Sequence, residues 1–115
     1  MKATFVELPA FERLRASYLS DEEFDALQQT LMARPQAGDV IPGAGGLRKL
    51  RFADRRRSKG TRGGLRVIYF HWMAGGQFWL FTLYDKDEVS DLSAGQRRIL
   101  KKAIEAELVA RRLDG

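Results

Sequence analysis

Apolar positions recur along this chain with two different periods, and the switches between them divide it into elements. Thr4, Phe5 and Val6 form a short β-branched and aromatic run that ends at Pro9. Phe11, Leu14 and Tyr18 then fall on one face of a brief helix. Ser20 followed by Glu23 is a capping box, and Phe24, Leu27 and Leu31 carry a second helix as far as Pro35. The stretch from Gln36 to Gly46, with Gly38, Pro42, Gly43, Gly45 and Gly46, predicts an irregular connection. Leu47, Leu50 and Phe52 frame a strand. Arg66 to Met73 and Gln77 to Tyr84 are two strongly apolar, aromatic strands, and Ala74, Gly75 and Gly76 between them signal a hairpin. Ser93 with Gln96 makes a second capping box, which opens a helix. Its Ile99, Leu100, Ala103, Ile104 and Leu108 form the expected buried stripe, with Arg97, Arg98, Lys101 and Lys102 on the wet face.

Both faces of the hairpin strands are apolar, so each needs a cover, and three helices are available. The expected fold is a small α+β domain with a largely antiparallel sheet and the order β-α-α-β-β-β-α. At 115 residues the chain fits one domain, 1–115, able to bury roughly two-thirds of its unfolded surface.

Charge changes the picture. Lys and Arg number 20 against 15 Asp and Glu, a net charge of +5 that favours an anionic partner such as nucleic acid. Much of the excess lies in one stretch: Arg48, Lys49, Arg51, Arg55, Arg56, Arg57, Lys59, Arg62 and Arg66 stand against the single anion Asp54. Because side chains alternate along a strand, Lys49 and Arg51 point one way, roughly 6 to 7 Å apart, while Arg48, Leu50 and Phe52 point the other. If the two flanking strands pair, Arg66 faces the Lys49 and Arg51 pair. Between them lies an expected exposed hairpin loop in which Gly60, Gly63 and Gly64 permit turns. The earlier glycine-rich segment lacks the Lys-Ser/Thr ending and the following helix of a nucleotide-binding P-loop.

Other chemistries are excluded by composition. With no cysteine there is no disulfide, thiolate metal site or cysteine nucleophile, and His71 alone makes neither a multi-histidine metal site nor a histidine acid/base pair. No metal and no cofactor is expected. No apolar run approaches the roughly 18 residues of a membrane span, so the expectation is a cytoplasmic protein without membrane contact.

Four segments together carry a resemblance: YLSDEEF at 18–24, GDVIPGAGGLRKLRFA at 38–53, KGTRGGLRVIYF at 59–70 and FTLYDKDEVSDLSAGQRR at 81–98. In order and spacing the chain closely resembles the HigB branch of the RelE/ParE toxin superfamily. The resemblance implies the toxin of a type II toxin-antitoxin pair, a sheet with packed helices that occupies the ribosomal A site, contacts mRNA and rRNA, and cuts translated mRNA. It also implies a helix-turn-helix antitoxin of the HigA kind, with operator DNA bound only through the complex. By similarity, Lys49 and Arg51 are the paired cations of the first basic strand and Arg66 is the clamp on the scissile phosphate. Tyr84 and Lys86 stand where the family places further active-site groups. RelE has a second arginine after the last strand and a tyrosine further on; DKDEVSDL offers Lys86 and then acids, which leaves the general acid unassigned.

Cleavage of this kind needs the 2′-hydroxyl deprotonated, the phosphate charge stabilised and the leaving 5′-oxygen protonated. Without a histidine pair, the chain relies on lysine or on groups of the substrate and ribosome. Lys49, beside Arg48, Arg51 and Arg66, is the expected base, because crowding by cations disfavours its charged form. Arg48, Arg55, Arg56, Arg57, Lys59 and Arg62 are read as RNA-contacting cations without chemistry, His71 as a packed sheet residue, and Trp72, Phe78, Trp79 and Phe81 as core. Two other functions fit the same features: a ParE-like gyrase poison of the same fold, and a non-enzymatic nucleic-acid-binding module.

Overall fold

In a computed structural model, residues 3–53, 64–89 and 91–114 are described. The pleat explains the architecture. In β4 (Leu65–Trp72) the odd positions Leu65, Val67 and Tyr69 turn to one side of the sheet, while Ile68 turns to the other with partly buried Phe70 and Trp72 packed beside it. Each side buries its own cluster, so the domain has two cores separated by one sheet. The first joins Leu50, Leu65, Val67, Tyr69, Phe78, Leu80 and Leu83 to Phe11 of α1 (Pro9–Tyr18) and to Leu27 and Leu31 of α2 (Asp21–Ala33). The second gathers Ile41, Ala44, Leu47, Ile68, Trp79, Phe81 and Tyr84 around Ile104 of α3 (Ala94–Asp114).

The sheet has five strands in the order β1-β5-β4-β3-β2, where β1 is Thr4–Glu7, β2 Asp39–Val40, β3 Arg48–Phe52 and β5 Gln77–Asp85. The α+β class and the late antiparallel meander agree with the sequence, whereas the expected element order needs one correction. The connection from Gln36 to Gly46 contains β2, whose Asp39 and Val40 pair with Lys49 and Arg48. Two exposed residues carry no readable pattern, and this pairing comes from the turn that follows, closed by Ile41 N–H to the Leu47 carbonyl at 2.9 Å. Gly45 sits in that turn with φ +70°, and a Cβ there would stand 2.8 Å from Ile104, so only glycine lets the loop press against α3. The sheet is largely antiparallel, as expected, but mixed in detail: β1, whose partner the sequence left open, runs parallel to β5, from Thr4 opposite Gln77 to Glu7 opposite Leu80.

The helix starts follow the local signals. At α2 the Ser20 hydroxyl accepts from Glu23 N–H at 3.1 Å and Glu23 accepts from Ser20 N–H at 3.0 Å. The same reciprocal pair forms between Ser93 and Gln96 at α3. One residue of the expected α3 stripe is misplaced: Ile99 is 68 % exposed. It lies beside an apolar groove of about 500 Å³ between α3, Leu8 and Phe81, so the buried line runs through Leu100, Ala103, Ile104 and Leu108 instead. Between β4 and β5 the register slips by one at Ile68/Tyr69: Ile68 faces Thr82 and Tyr69 faces Leu80, leaving Phe81 as the extra residue that turns into the α3 side. Among the described residues no helix is long and apolar enough to cross a membrane.

Candidate functional site

The strand register decides which cations meet. On β3, Lys49 stands opposite Ile68 and Arg51 opposite Arg66; on the far side of β4, Arg66 stands opposite Tyr84 of β5. Directly paired residues share a face, with Cβ atoms about 4.5 to 5.5 Å apart. Arg51, Arg66 and Tyr84 therefore form one row across three strands, on the α3 side, with Lys49 one pleat along. Two arginines placed opposite each other repel, and packing alone does not favour that choice.

The row grades from wet to dry. Arg51 is exposed, whereas Arg66 keeps 5 % of its surface and Tyr84 9 %. Burial, then the Arg51 charge, lowers the Arg66 pKa from its ordinary value, while Tyr84 acts in the opposite sense. The guanidinium remains protonated regardless, and one of its amino groups donates to the Leu65 carbonyl at 3.2 Å. Burial first, then Asp91, raises the Tyr84 hydroxyl above the usual phenol value, against the pull of Arg66. A phenol held protonated beside a cation is a hydrogen-bond donor for an oxyanion.

The environment of Lys49 differs from the expectation of a lysine crowded by arginines alone. Its ammonium donates to Asp91 Oδ1 at 3.3 Å. Arg48 is on the opposite face, where it donates to the Gly38 carbonyl at 2.8 Å. There it works beside Tyr69, whose hydroxyl donates to the Pro35 carbonyl and accepts from Gly38 N–H. Arg48 is thus outside the cluster for the reason alternation gives. Lys86 is exposed just beyond β5, and its N–H donates to the Gly64 carbonyl at 3.2 Å, which places it next to the start of β4, two residues along the chain from Tyr84. Arg55, Arg56, Arg57, Lys59 and Arg62, with the expected hairpin loop and its Gly60 and Gly63, lie outside the described residues.

Two site residues were not read from the sequence. Asp91 lies in the connection from β5 to α3, where its Oδ1 also accepts from Leu92 N–H at 2.8 Å. That hydrogen bond first, and Lys49 second, lower its carboxyl pKa from the ordinary value. Arg97, expected on the wet face of α3, is half-buried, reaches back to the Leu92 carbonyl at 3.4 Å and acts on Asp91. The one available signal was the capping box at Ser93, which fixes where α3 starts but not which strand lies beneath that start. Arg98, Lys101 and Lys102 are exposed as expected.

The remaining aromatic and histidine readings are consistent with the structure. Phe78, Trp79 and Phe81 are buried, Trp72 packs against the cluster of Trp79 and Phe81, and His71 stacks on Phe78 with centroids 4.6 Å apart on the face opposite Arg66. Burial, then Arg48, lowers the His71 pKa from the ordinary 6.5. His71 therefore contributes stability that is present above about pH 6.5 and is lost as pH falls through its lowered folded-state value. As the sole histidine it gives one imidazole resonance, and an NMR titration is expected to place its midpoint below that of the unfolded chain; a midpoint above it would contradict the packed placement.

No group of three or more potential metal ligands occurs among the described residues. No protein-family model matches the sequence. Chemically, Lys49, Arg51 and Arg66 stand with the Tyr84 phenol and the Asp91 carboxylate in one cluster, a set suited to gripping a phosphodiester and stabilising charge on it.

Proposed function

We propose that this chain is the toxin of a type II toxin-antitoxin pair, a ribosome-dependent endoribonuclease that cuts mRNA as it is translated and so inhibits growth. The observation that carries the reading is the registered row Arg51, Arg66 and Tyr84 with Lys49 on the same face. The resemblance to the HigB branch supplies the substrate class and the ribosomal context, and the row supplies groups fitted to the chemistry.

In the proposed reaction the ribose 2′-oxygen bonds to phosphorus and the bond from phosphorus to the 5′-oxygen breaks. The products are a 2′,3′-cyclic phosphate and a 5′-hydroxyl. Arg66, almost fully buried on the central strand, grips the equatorial oxygens as their charge grows, and Arg51 closes on the same phosphate from the solvent side. The Tyr84 hydroxyl donates to that phosphate. Lys49 adds its positive charge to the same phosphate, the 2′-hydroxyl proton passes to a group of the ribosome or substrate, and the 5′-oxygen takes up a proton from the same surroundings. These side chains bring the positive charge that a metal ion brings in other nucleases, so the reaction is proposed to be metal-independent. Lys86, two residues beyond Tyr84, is assigned to the active-site group, and the basic segment 55–62 to phosphate contacts with mRNA and rRNA. A helix-turn-helix antitoxin neutralises the toxin, and operator DNA is bound through that complex.

Mapping transcript 5′ ends after a short pulse of expression tests this. New ends are expected inside translated reading frames and absent from untranslated regions. Intact transcripts together with failed DNA supercoiling by gyrase would favour the ParE-like alternative, and intact transcripts with salt-sensitive RNA binding would favour a binding module.

A further inference from the structure

Asp91 is an anion standing in a site otherwise built for an anion from outside. Its carboxylate takes Lys49 Nζ at 3.3 Å on the face that carries Arg51, Arg66 and Tyr84. The side chain is 63 % exposed and Lys49 31 %, so the pair is wet and screened. Such exposed pairs contribute too little to fix a lysine rigidly in place. A phosphodiester that also reaches two arginines outbids it; a phosphate that meets Lys49 alone does not.

We propose that Asp91 is a specificity-determining residue, an internal stand-in for phosphate that occupies Lys49 until a nucleic-acid phosphate engaged by Arg51 and Arg66 displaces it. This rests on the reading of the face as a phosphate site. Asp91 lies in the short connection between β5 and α3, where the backbone of Leu92 holds the carboxylate and Arg97 balances its charge from the first turn of α3. Displacement leaves Asp91 with the charge of Arg97 nearby and open to solution cations. The consequence is restraint: a basic protein with a net charge of +5 would otherwise bind any polyanion, and the tethered carboxylate withholds one of its cations from non-specific contacts.

The same occupancy has a salt signature. In the resting protein Lys49 neutralises Asp91, so when RNA takes Lys49 the cation shed by the phosphate is offset by one drawn to the freed Asp91 carboxylate. Removing the Asp91 charge abolishes that uptake, which steepens the salt dependence of binding by up to about one ion.

The test is binding of a labelled single-stranded RNA of about a dozen nucleotides, followed by fluorescence anisotropy between roughly 50 and 200 mM salt. It needs neither ribosome nor cleavage. Asp91→Asn preserves an oxygen for Leu92 N–H and removes the charge. It is expected to tighten binding by about threefold to tenfold at the low-salt end and to steepen the salt slope. In a Lys49→Ala background the same change should give no gain, because the cation it would release is gone. Weaker or unchanged binding in Asp91→Asn, an equal gain in both backgrounds, or no measurable binding by any variant would overturn the proposal. A failed cycle with ribosomal cleavage intact removes only the role of Asp91, whereas loss of the cleavage reading leaves the binding cycle standing.

Discussion

Arg66→Ala is expected to abolish growth arrest and to slow cleavage of translated mRNA by about a hundredfold to a thousandfold, the usual cost of removing a preorganised group that stabilises transition-state charge. Arg66 sits in the centre of the row, between Arg51 and Tyr84, and is far drier than Arg51. Its position is therefore fixed by the strand, and its interactions with phosphate are strengthened by the loss of water. Arg66→Lys keeps the charge but not the planar fork, and should recover only part of the activity. Circular dichroism and thermal unfolding distinguish a lost contact from a lost fold. Full toxicity in a well-folded Arg66→Ala protein would count against the assignment.

Trp79→Ala is expected to have the largest effect on stability, about 3 to 5 kcal/mol, because it removes a fully buried indole from the core beneath α3. Trp79 packs against Phe70 and Trp72 with ring centroids at 5.2 and 5.3 Å, and its Nε1–H donates to Gln77 Oε1 at 2.8 Å. Arg111, near the far end of α3, lies over the same indole at 5.0 Å and also donates to Gln77. One side chain thus anchors one end of α3, while Ile104 against Gly45 anchors its middle. Against a typical total of 5 to 15 kcal/mol the loss is a large share. Urea unfolding should show a much lower midpoint, and amide exchange should reveal α3 opening first; a midpoint close to wild type would contradict this role.

How much of this could be read from the sequence depended on the range of the signal. Ser20 with Glu23 and Ser93 with Gln96 are local pairs, and both helices start where those pairs place them. Strand alternation put Lys49 and Arg51 on one face and Arg48 on the other, and the apolar character of β4 and β5 foretold two covered sides. What was missed depended on tertiary assembly. The parallel placement of β1 beside β5 has no trace in Thr4 to Glu7. The pairing of β2 rests on a glycine turn rather than on Asp39 or Val40. Ile99 fits the helical period as well as Leu100 does, and only the position of the sheet beneath α3 leaves it exposed. The same tertiary fact brings Asp91 over Lys49 and turns Arg97 inward, so the acidic member of the site was invisible in a segment that read simply as charged.

The most direct test is a reconstituted one, in which purified protein is added to the same mRNA either free or programmed into ribosomes with a defined codon in the A site. Cleavage at that codon, with a 2′,3′-cyclic phosphate on one product and a 5′-hydroxyl on the other, is predicted only for the ribosome-bound message and only while Arg66 is present. Undamaged mRNA on ribosomes that have bound the wild-type protein would contradict the assignment of the Arg51, Arg66 and Tyr84 row to phosphodiester cleavage.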